Sequence, residues 1–349
     1  MLSIPPGSRR FGTLIAAAVG VLAALVVAAL APVPYVALTP GPTLNTLGNS
    51  GDHPMIEISG HRTYPTSGHL NMVTVSFIGG PGSAFNIFAA LRAWLSPHEA
   101  VVPEQEIFTP GQSEQQVSKQ DTEQMVSSQQ TAAAAALCLL KIKFKTIDTI
   151  AATVPGMPAR GVLQAGDVIS AVDGKPVTCS ADAGALIKAR KPGAPVDLTF
   201  VRNGERHRVR LVSTSAAGQA VIGVNVRESF LFPFSVKISV KNIGGPSAGL
   251  MFALGIIDKL TPMNLTAGKF IAGTGEIEAN GTVDPIGGIQ QKMAGARAAG
   301  ATVFLTPAAN CPDTAGAVPA GMRLIKVSTL SGAIAALRAL AAGNAVPSC

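Results

Sequence analysis

The chain has 349 residues, enough for two or three domains. Only 5% are aromatic while alanine, glycine and valine are frequent, so its cores are expected to pack small residues. The net charge of +7 is modest, and Lys188, Arg190, Lys191, Arg202, Arg206, Arg208 and Arg210 come without a stacking-aromatic set or a known binding motif. They are expected on solvated strand faces, which sets nucleic acid aside as a partner.

In chain order, Arg9-Arg10 precede an uncharged run from Phe11 to Ala31, long enough to cross a bilayer at about 20 residues. Arginines before the run, with no nearby basic residues after it, place the N-terminus in the cytoplasm and the bulk of the chain outside. A cleaved signal peptide is the rival reading. Ala29-Leu30-Ala31 offers the small residues for it, but Pro32 follows directly and should hinder cleavage. Residues 1–35 are therefore expected to form a cytoplasmic N-terminus and an uncleaved transmembrane helix.

Residues 36–146 carry fewer signals. Pro32, Pro34, Pro40 and Pro42 predict an extended exit from the membrane. His69 to Phe77 alternates like a strand. Gly79 to Ala84 predicts a loop and helix cap. Ser113 to Lys119 is polar and predicts a surface loop. Thr122 to Leu140 predicts a helix ending in the run Ala132 to Ala136, too polar in its first half to span a membrane. Cys138, in this apolar run, is expected as a buried thiol.

Residues 147–213 form their own unit. Gly166-Asp167-Val168-Ile169, then Val172-Asp173-Gly174, resembles bacterial PDZ domains. Asp173-Gly174 alone is a hairpin turn signal. A helix from Asp182 to Ala189 and strands near Val196 to Arg202 and His207 to Val212 complete the pattern. PDZ domains take extended peptides by strand addition, often at a free C-terminus, so the resemblance implies binding of protein C-termini. A carboxylate-binding loop is expected within Leu139 to Phe144.

Residues 225–349 carry the chemistry. Gly244-Gly245-Pro246-Ser247-Ala248-Gly249 places a serine at the start of an apolar helical stretch running to Leu260. Pro246 suits a first helical turn. Free amide groups at such a start could stabilise an oxyanion. No histidine follows His207, so a serine nucleophile here needs another base. Lys292 lies in the helical pattern of residues 288–296, which carries no acid to pair with it. A lysine serves as a base only when burial brings its pKa from about 10.4 towards 7–8. A histidine-based site stays open through His69, whose strand could pack near the serine. Phe270 to Ile277 predicts a strand, Asn280-Gly281 a hairpin turn, Thr302 to Leu305 and Arg323 to Val327 strands, and Leu330 to Ala342 a helix capped by Ser328 or Thr329.

The pieces Gly245-Pro246-Ser247-Ala248-Gly249, Thr274-Gly275-Glu276-Ile277, Gly281, Pro285-Ile286-Gly287-Gly288, Lys292 and Gly300-Ala301 resemble the proteolytic domain of Lon proteases in order and spacing. The resemblance implies Ser247 as nucleophile, Lys292 as general base and Thr274 as the residue that orients the lysine. Gly244-Gly245 stands where many Lon proteases have an acidic residue before the glycine. No Gly-x-x-x-x-Gly-Lys-[Ser/Thr] loop occurs in the sequence, so action without ATP is expected.

The expected fold is an α/β (α+β layered) Lon-type proteolytic domain with a β-rich PDZ domain and one N-terminal transmembrane helix. Residues 36–146 are expected to pack on the proteolytic domain. Anchor, PDZ and protease in this order resemble bacterial membrane-anchored PDZ Lon-like proteases, which implies polypeptide substrates and a homo-oligomer. No cofactor or metal is expected, since the spacings of Cys138, Cys179, Cys311 and Cys349 fit no zinc site. Cys311 and Cys349 could pair. The alternative function is a non-catalytic PDZ adaptor.

Overall fold

The computed structural model describes residues 6–241 and 243–349. The side chains of Arg9 and Arg10, on which the expected membrane orientation rests, lie outside the described residues. Helix α1 (Pro6–Leu30) is long and apolar enough to cross a membrane, and no part of that apolar stretch is buried in the protein.

The chain then enters a six-stranded sheet that draws on both ends of the sequence. Its order is Arg323–Val327, Val303–Pro307, Phe270–Gly273, His69–Gly79, Tyr35–Asn45 and Ala100–Pro103. The first four run parallel, and the 35–45 strand is antiparallel to its two neighbours. The contribution of residues 36–146 to the sheet is thus direct strand pairing, His69–Gly79 against Phe270–Gly273.

Parallel strands covered on both faces carry apolar residues in unbroken runs, because successive side chains point to opposite layers. Leu70, Met72, Ile271, Leu305 and Ile325 pack with one helical layer. Their neighbours Val73, Ala272, Phe304 and Leu324 pack with the other. The first layer holds α4 (Glu114–Leu139), α6 (Gly249–Leu260) and α8 (Leu330–Ala341); the second holds α7 (Ile289–Ala298). Two shorter helices, α2 (Ile87–Trp94) and α3 (Glu104–Ile107), sit beside the strands nearest α1.

Helix α4 begins earlier than its apolar pattern suggests, and the expected loop from Ser113 to Lys119 is helical. Ser113 accepts from Gln116 N, and the Gln116 side chain accepts from Ser113 N, a reciprocal capping box. Cys138 is not a free buried thiol. It is half-buried near the end of α4 and forms a disulfide with Cys179, tying the helix to the PDZ unit. Cys311 and Cys349 form the second disulfide.

Between α4 and α6 lies a second sheet, ordered Glu205–Val212, Pro195–Arg202, Val168–Val172, Lys145–Thr153 and Val224–Leu231, with α5 (Ala183–Lys188) beside it. It has its own core, including Ile150, Leu163, Ile169, Leu198 and Phe200. Asp173 and Gly174 both take positive φ, as a tight hairpin turn requires. Strand Val224–Leu231 pairs along the whole of Lys145–Thr153, so this sheet reaches beyond the expected 147–213 unit. Without Val224–Leu231, the edge of Lys145–Thr153 facing away from Val168–Val172 would be left unpaired.

Candidate active site

Strand Phe270–Gly273 stops short of the expected end at Ile277. Pairing resumes only at Glu276–Ile277, against Val283–Asp284. Thr274 N still donates to Leu305 O of the neighbouring strand at 3.3 Å, and the ladder ends at Gly275, whose amide turns to another partner. Thr274 Oγ1 and Gly275 N both donate to the Ser247 carbonyl, each at 2.9 Å. Leu250 N returns a bond to Gly275 O at 3.0 Å. The approach is close: a Cβ on Gly275 would lie 2.8 Å from Val283 Cγ1.

Ser247 lies in the turn just before α6, whose N-cap is Ala248. Helix α4 holds the other side of this turn. Asp121 O accepts from Gly245 N at 3.1 Å, and Ser128 Oγ donates to Pro246 O at 2.9 Å. A Cβ on Gly244 would lie 2.3 Å from Asp121 Cβ, so only glycine fits against α4 there. Among the described residues, neither the Ser247 nor the Ala248 amide donates to a protein acceptor. Unpaired amides at a helix start can stabilise a developing oxyanion.

Lys292 comes from α7. Gly288 caps that helix with φ +67, and Lys292 N begins the helical bonding by donating to Gly288 O at 3.0 Å. The side chain reaches through the layer so that Nζ lies 2.8 Å from Ser247 Oγ and 3.1 Å from Thr274 Oγ1. Lys292 is 3% exposed and Thr274 is fully buried. No carboxylate lies within ion-pairing distance of Nζ among the described residues. Burial therefore acts unopposed and lowers the lysine pKa to about 7. The neutral amine can accept the Ser247 hydroxyl proton. One of its own hydrogens then goes to Thr274 Oγ1, whose hydrogen is already committed to Ser247 O.

The three residues singled out from sequence, Ser247, Lys292 and Thr274, thus meet at one point. Ser247 and Lys292 open on a cleft of about 550 Å³ whose walls include Leu38, Met72, Phe77, Ile107 and Met125, with Thr274 buried behind them. Among the described residues, no histidine lines it. His69 instead stacks on Phe270 at 4.5 Å, His207 on Phe200, and His61 packs against Phe234. The expectation of a histidine-based site through His69 is therefore overturned: its ring is held on a neighbouring strand, outside the cleft.

Sequence reasoning missed Asp121 and Ser128. The carboxyl of Asp121 lines the cleft, and burial raises its pKa. An acidic residue is thus near the Ser247 turn after all, supplied by α4 rather than by the position beside Gly245. The Ser113-Gln116 capping box was the signal that could have placed this helix turn. Nothing local marks Ser128, whose partner Pro246 is 118 residues away.

In the PDZ unit, residues 141–146 line a second cleft of about 790 Å³ with Ser170, Thr178 and Cys179. Lys141, Lys143, Lys145 and Arg206 give it a basic rim. Most of the stretch expected to hold the carboxylate-binding loop lies here.

Residues 239–337 match the Lon protease (S16) C-terminal proteolytic domain, and residues 140–212 match a PDZ domain. The chain is 46% identical over 69 residues to a Lon protease of Roseiflexus castenholzii, covering 20% of this chain and 8% of that protein. It is 29% identical over 137 residues to a probable periplasmic serine endoprotease DegP-like of Pseudomonas fluorescens, covering 33% of this chain and 29% of that protein. The crystal structure of the PDZ domain of an SdrC-like protein from Listeria monocytogenes aligns at 23% identity and a TM-score of 0.22, covering 23% of this chain and 85% of that one. The chain thus spans under a third of the length of the two curated relatives. It carries a Lon-type proteolytic domain and a PDZ domain, preceded by one apolar N-terminal helix.

Proposed function

We propose that this protein is an ATP-independent serine endopeptidase, anchored by α1 with its bulk outside the cytoplasmic membrane. Ser247 is the nucleophile, Lys292 the general base and Thr274 the residue that orients the lysine. The observation that carries this reading is the 2.8 Å contact between Ser247 Oγ and a buried lysine whose pKa falls to about 7.

In the acylation step, Lys292 Nζ takes the Ser247 proton as Oγ bonds to the scissile carbonyl carbon. The carbonyl oxygen becomes an oxyanion facing the Ser247 and Ala248 amides. Collapse breaks the C–N bond, and the Lys292 ammonium gives its proton to the leaving amine. Water then attacks the acyl-enzyme, with Lys292 again accepting a proton and returning it to Ser247. Thr274 Oγ1 accepts from the amine throughout and keeps it aimed at Oγ.

The cleft takes extended, unfolded or flexible polypeptide. The PDZ unit, inserted between residues 36–146 and the proteolytic domain, recruits protein C-termini by strand addition, and its basic rim suits acidic ones. The subunits assemble as a homo-oligomer, an expectation that rests on the resemblance to Lon-like proteases.

The test is cleavage of an unfolded protein by the full chain without ATP, compared with Ser247→Ala and Lys292→Ala. Each variant is expected to lose activity by a factor on the order of 10⁴ or more, with folding intact. Equal turnover in all three proteins would refute the dyad. A folded wild type without turnover, binding C-terminal peptides, would favour the adaptor function instead.

A further inference from the structure

Helix α2 carries its large apolar residues on the wrong side for a surface helix in water. Ala90 and Ala93 face the sheet and are 8% and 0% exposed. They pack in a small cluster with Ala37 and Phe85. Ile87, Phe88, Leu91, Trp94 and Leu95 point away from the protein, at 47%, 45%, 49%, 73% and 72% exposure. At 3.6 residues per turn these five share one face, with Arg92 on its flank. A soluble domain places such a stripe against its core, and a contiguous apolar patch left outside marks a binding surface.

The position of α2 says what covers it. Its N-cap Asn86 accepts from Ala89 N at 2.9 Å through Oδ1. The Nδ2 of the same side chain donates to Ala29 O, in the last turn of α1, at 2.8 Å. Val33 N donates to Phe85 O at 2.7 Å, closing the corner between the two helices. Helix α2 therefore starts at the level where α1 ends. We infer that α2 is an interfacial helix, lying in the outer headgroup region of the bilayer with its apolar face in the acyl boundary. This rests on the reading of α1 as a membrane anchor.

The residue chemistry agrees with that place. Tryptophan favours the membrane–water interface, and Arg92, paired with Glu99 at 3.6 Å, lies on the polar flank of the face. The seat has a consequence for the cleft. Leu38, on its wall, follows Leu30 by eight residues, a path of at most about 28 Å. With α2 embedded, the domain cannot swing freely on its tether, and the cleft is held near the bilayer. Its substrates are then polypeptide segments close to the membrane surface.

Trp94 is the chain's single tryptophan, so its fluorescence reports on α2 alone. The full chain would be reconstituted in phosphatidylcholine–phosphatidylglycerol vesicles and floated on a density gradient. Emission would then be read with lipids brominated near the headgroup end or near the chain terminus, and with aqueous acrylamide. The expected result is strong quenching by the shallow bromolipid, weaker quenching by the deep one, and protection from acrylamide. Leu91→Asp, at an exposed position, should still float through α1 but lose bromolipid quenching and shift its emission to the red. Wild-type protein that floats with Trp94 open to acrylamide and unquenched by lipid would overturn the inference. So would a Trp94 protected from both quenchers, which would show a protein contact such as a second copy. Protein that does not float would overturn the anchor, and the interfacial helix with it.

Discussion

Lys292 can take a proton from Ser247 only as the neutral amine, so the pH dependence of cleavage reads its burial directly. A solvated lysine with the ordinary pKa of 10.5 would be neutral in roughly 3 molecules per 10,000 at pH 7, whereas a pKa of about 7 leaves half of them neutral. The expected kcat/KM falls about tenfold per unit below pH 7 and levels off above about pH 8. The profile is measured with a fluorogenic peptide from about pH 5 to about pH 10, subtracting the Ser247→Ala rate at each pH. Thr274→Val adds a second handle. It keeps the β-branched shape in a fully buried site but removes the oxygen that lies 3.1 Å from Nζ. A hydrogen bond to a charged group contributes about 1.5–3 kcal/mol and here favours the ammonium form. The acid limb of Thr274→Val is therefore expected at lower pH, by about one unit or more, with a reduced plateau because the amine is no longer aimed. A wild-type rate that keeps climbing tenfold per unit through pH 9 would refute a buried lysine as the base. A limb that moves upward in Thr274→Val would refute the assigned direction of the threonine bond.

The same burial has a cost in stability. Between about pH 7 and 10.5 the unfolded chain holds a proton on Lys292 that the folded chain has released, so the contribution of this group to stability rises with pH across that window. Lys292→Met should be the more stable protein by about 4–5 kcal/mol below pH 7, with the gap closing by about 1.4 kcal/mol per unit above it. Paired denaturant titrations at several pH values check this, since other titrating groups cancel in the difference; a gap independent of pH would contradict it. The Cys138–Cys179 disulfide closes a loop with a sequence separation of 41, worth at most about 4 kcal/mol by loop entropy. The double variant Cys138→Ser, Cys179→Ser should open the PDZ unit to proteolysis at lower denaturant, and an unchanged cleavage midpoint would deny the bond that role.

Much of the secondary structure was legible because local chemistry agreed with tertiary placement. The alternation of His69 to Phe77 found a strand, observed as His69–Gly79. Thr329 caps α8, accepting from Gly332 N at 3.0 Å. The errors have physical causes. The strand expected through Ile277 breaks after Thr274 because the Gly275 amide bonds Ser247 O instead of the neighbouring strand. The polar stretch from Ser113 to Lys119 hid a helix, since its start is set by side-chain capping and not by apolar periodicity. The apolar neighbours of Cys138 suggest a core thiol and give no sign of the second domain that meets the helix end.

By itself the sequence determined which side chains were candidates for chemistry. Pro246-Ser247 before an apolar helix, an acid-free helix around Lys292, and Thr274-Gly275 between them are local patterns, and each constrains its own few residues. Only the tertiary structure decided that Nζ lies 2.8 Å from Oγ, 45 residues away, and that burial brings the lysine to about pH 7. It alone brought Asp121 and Ser128 of α4 to the Ser247 turn, and turned the apolar face of α2 outward beside the end of α1. The physical reason is that desolvation and hydrogen-bond distance depend on which distant segments share a place in space. No window of sequence contains that information until the sheet has joined both ends of the chain.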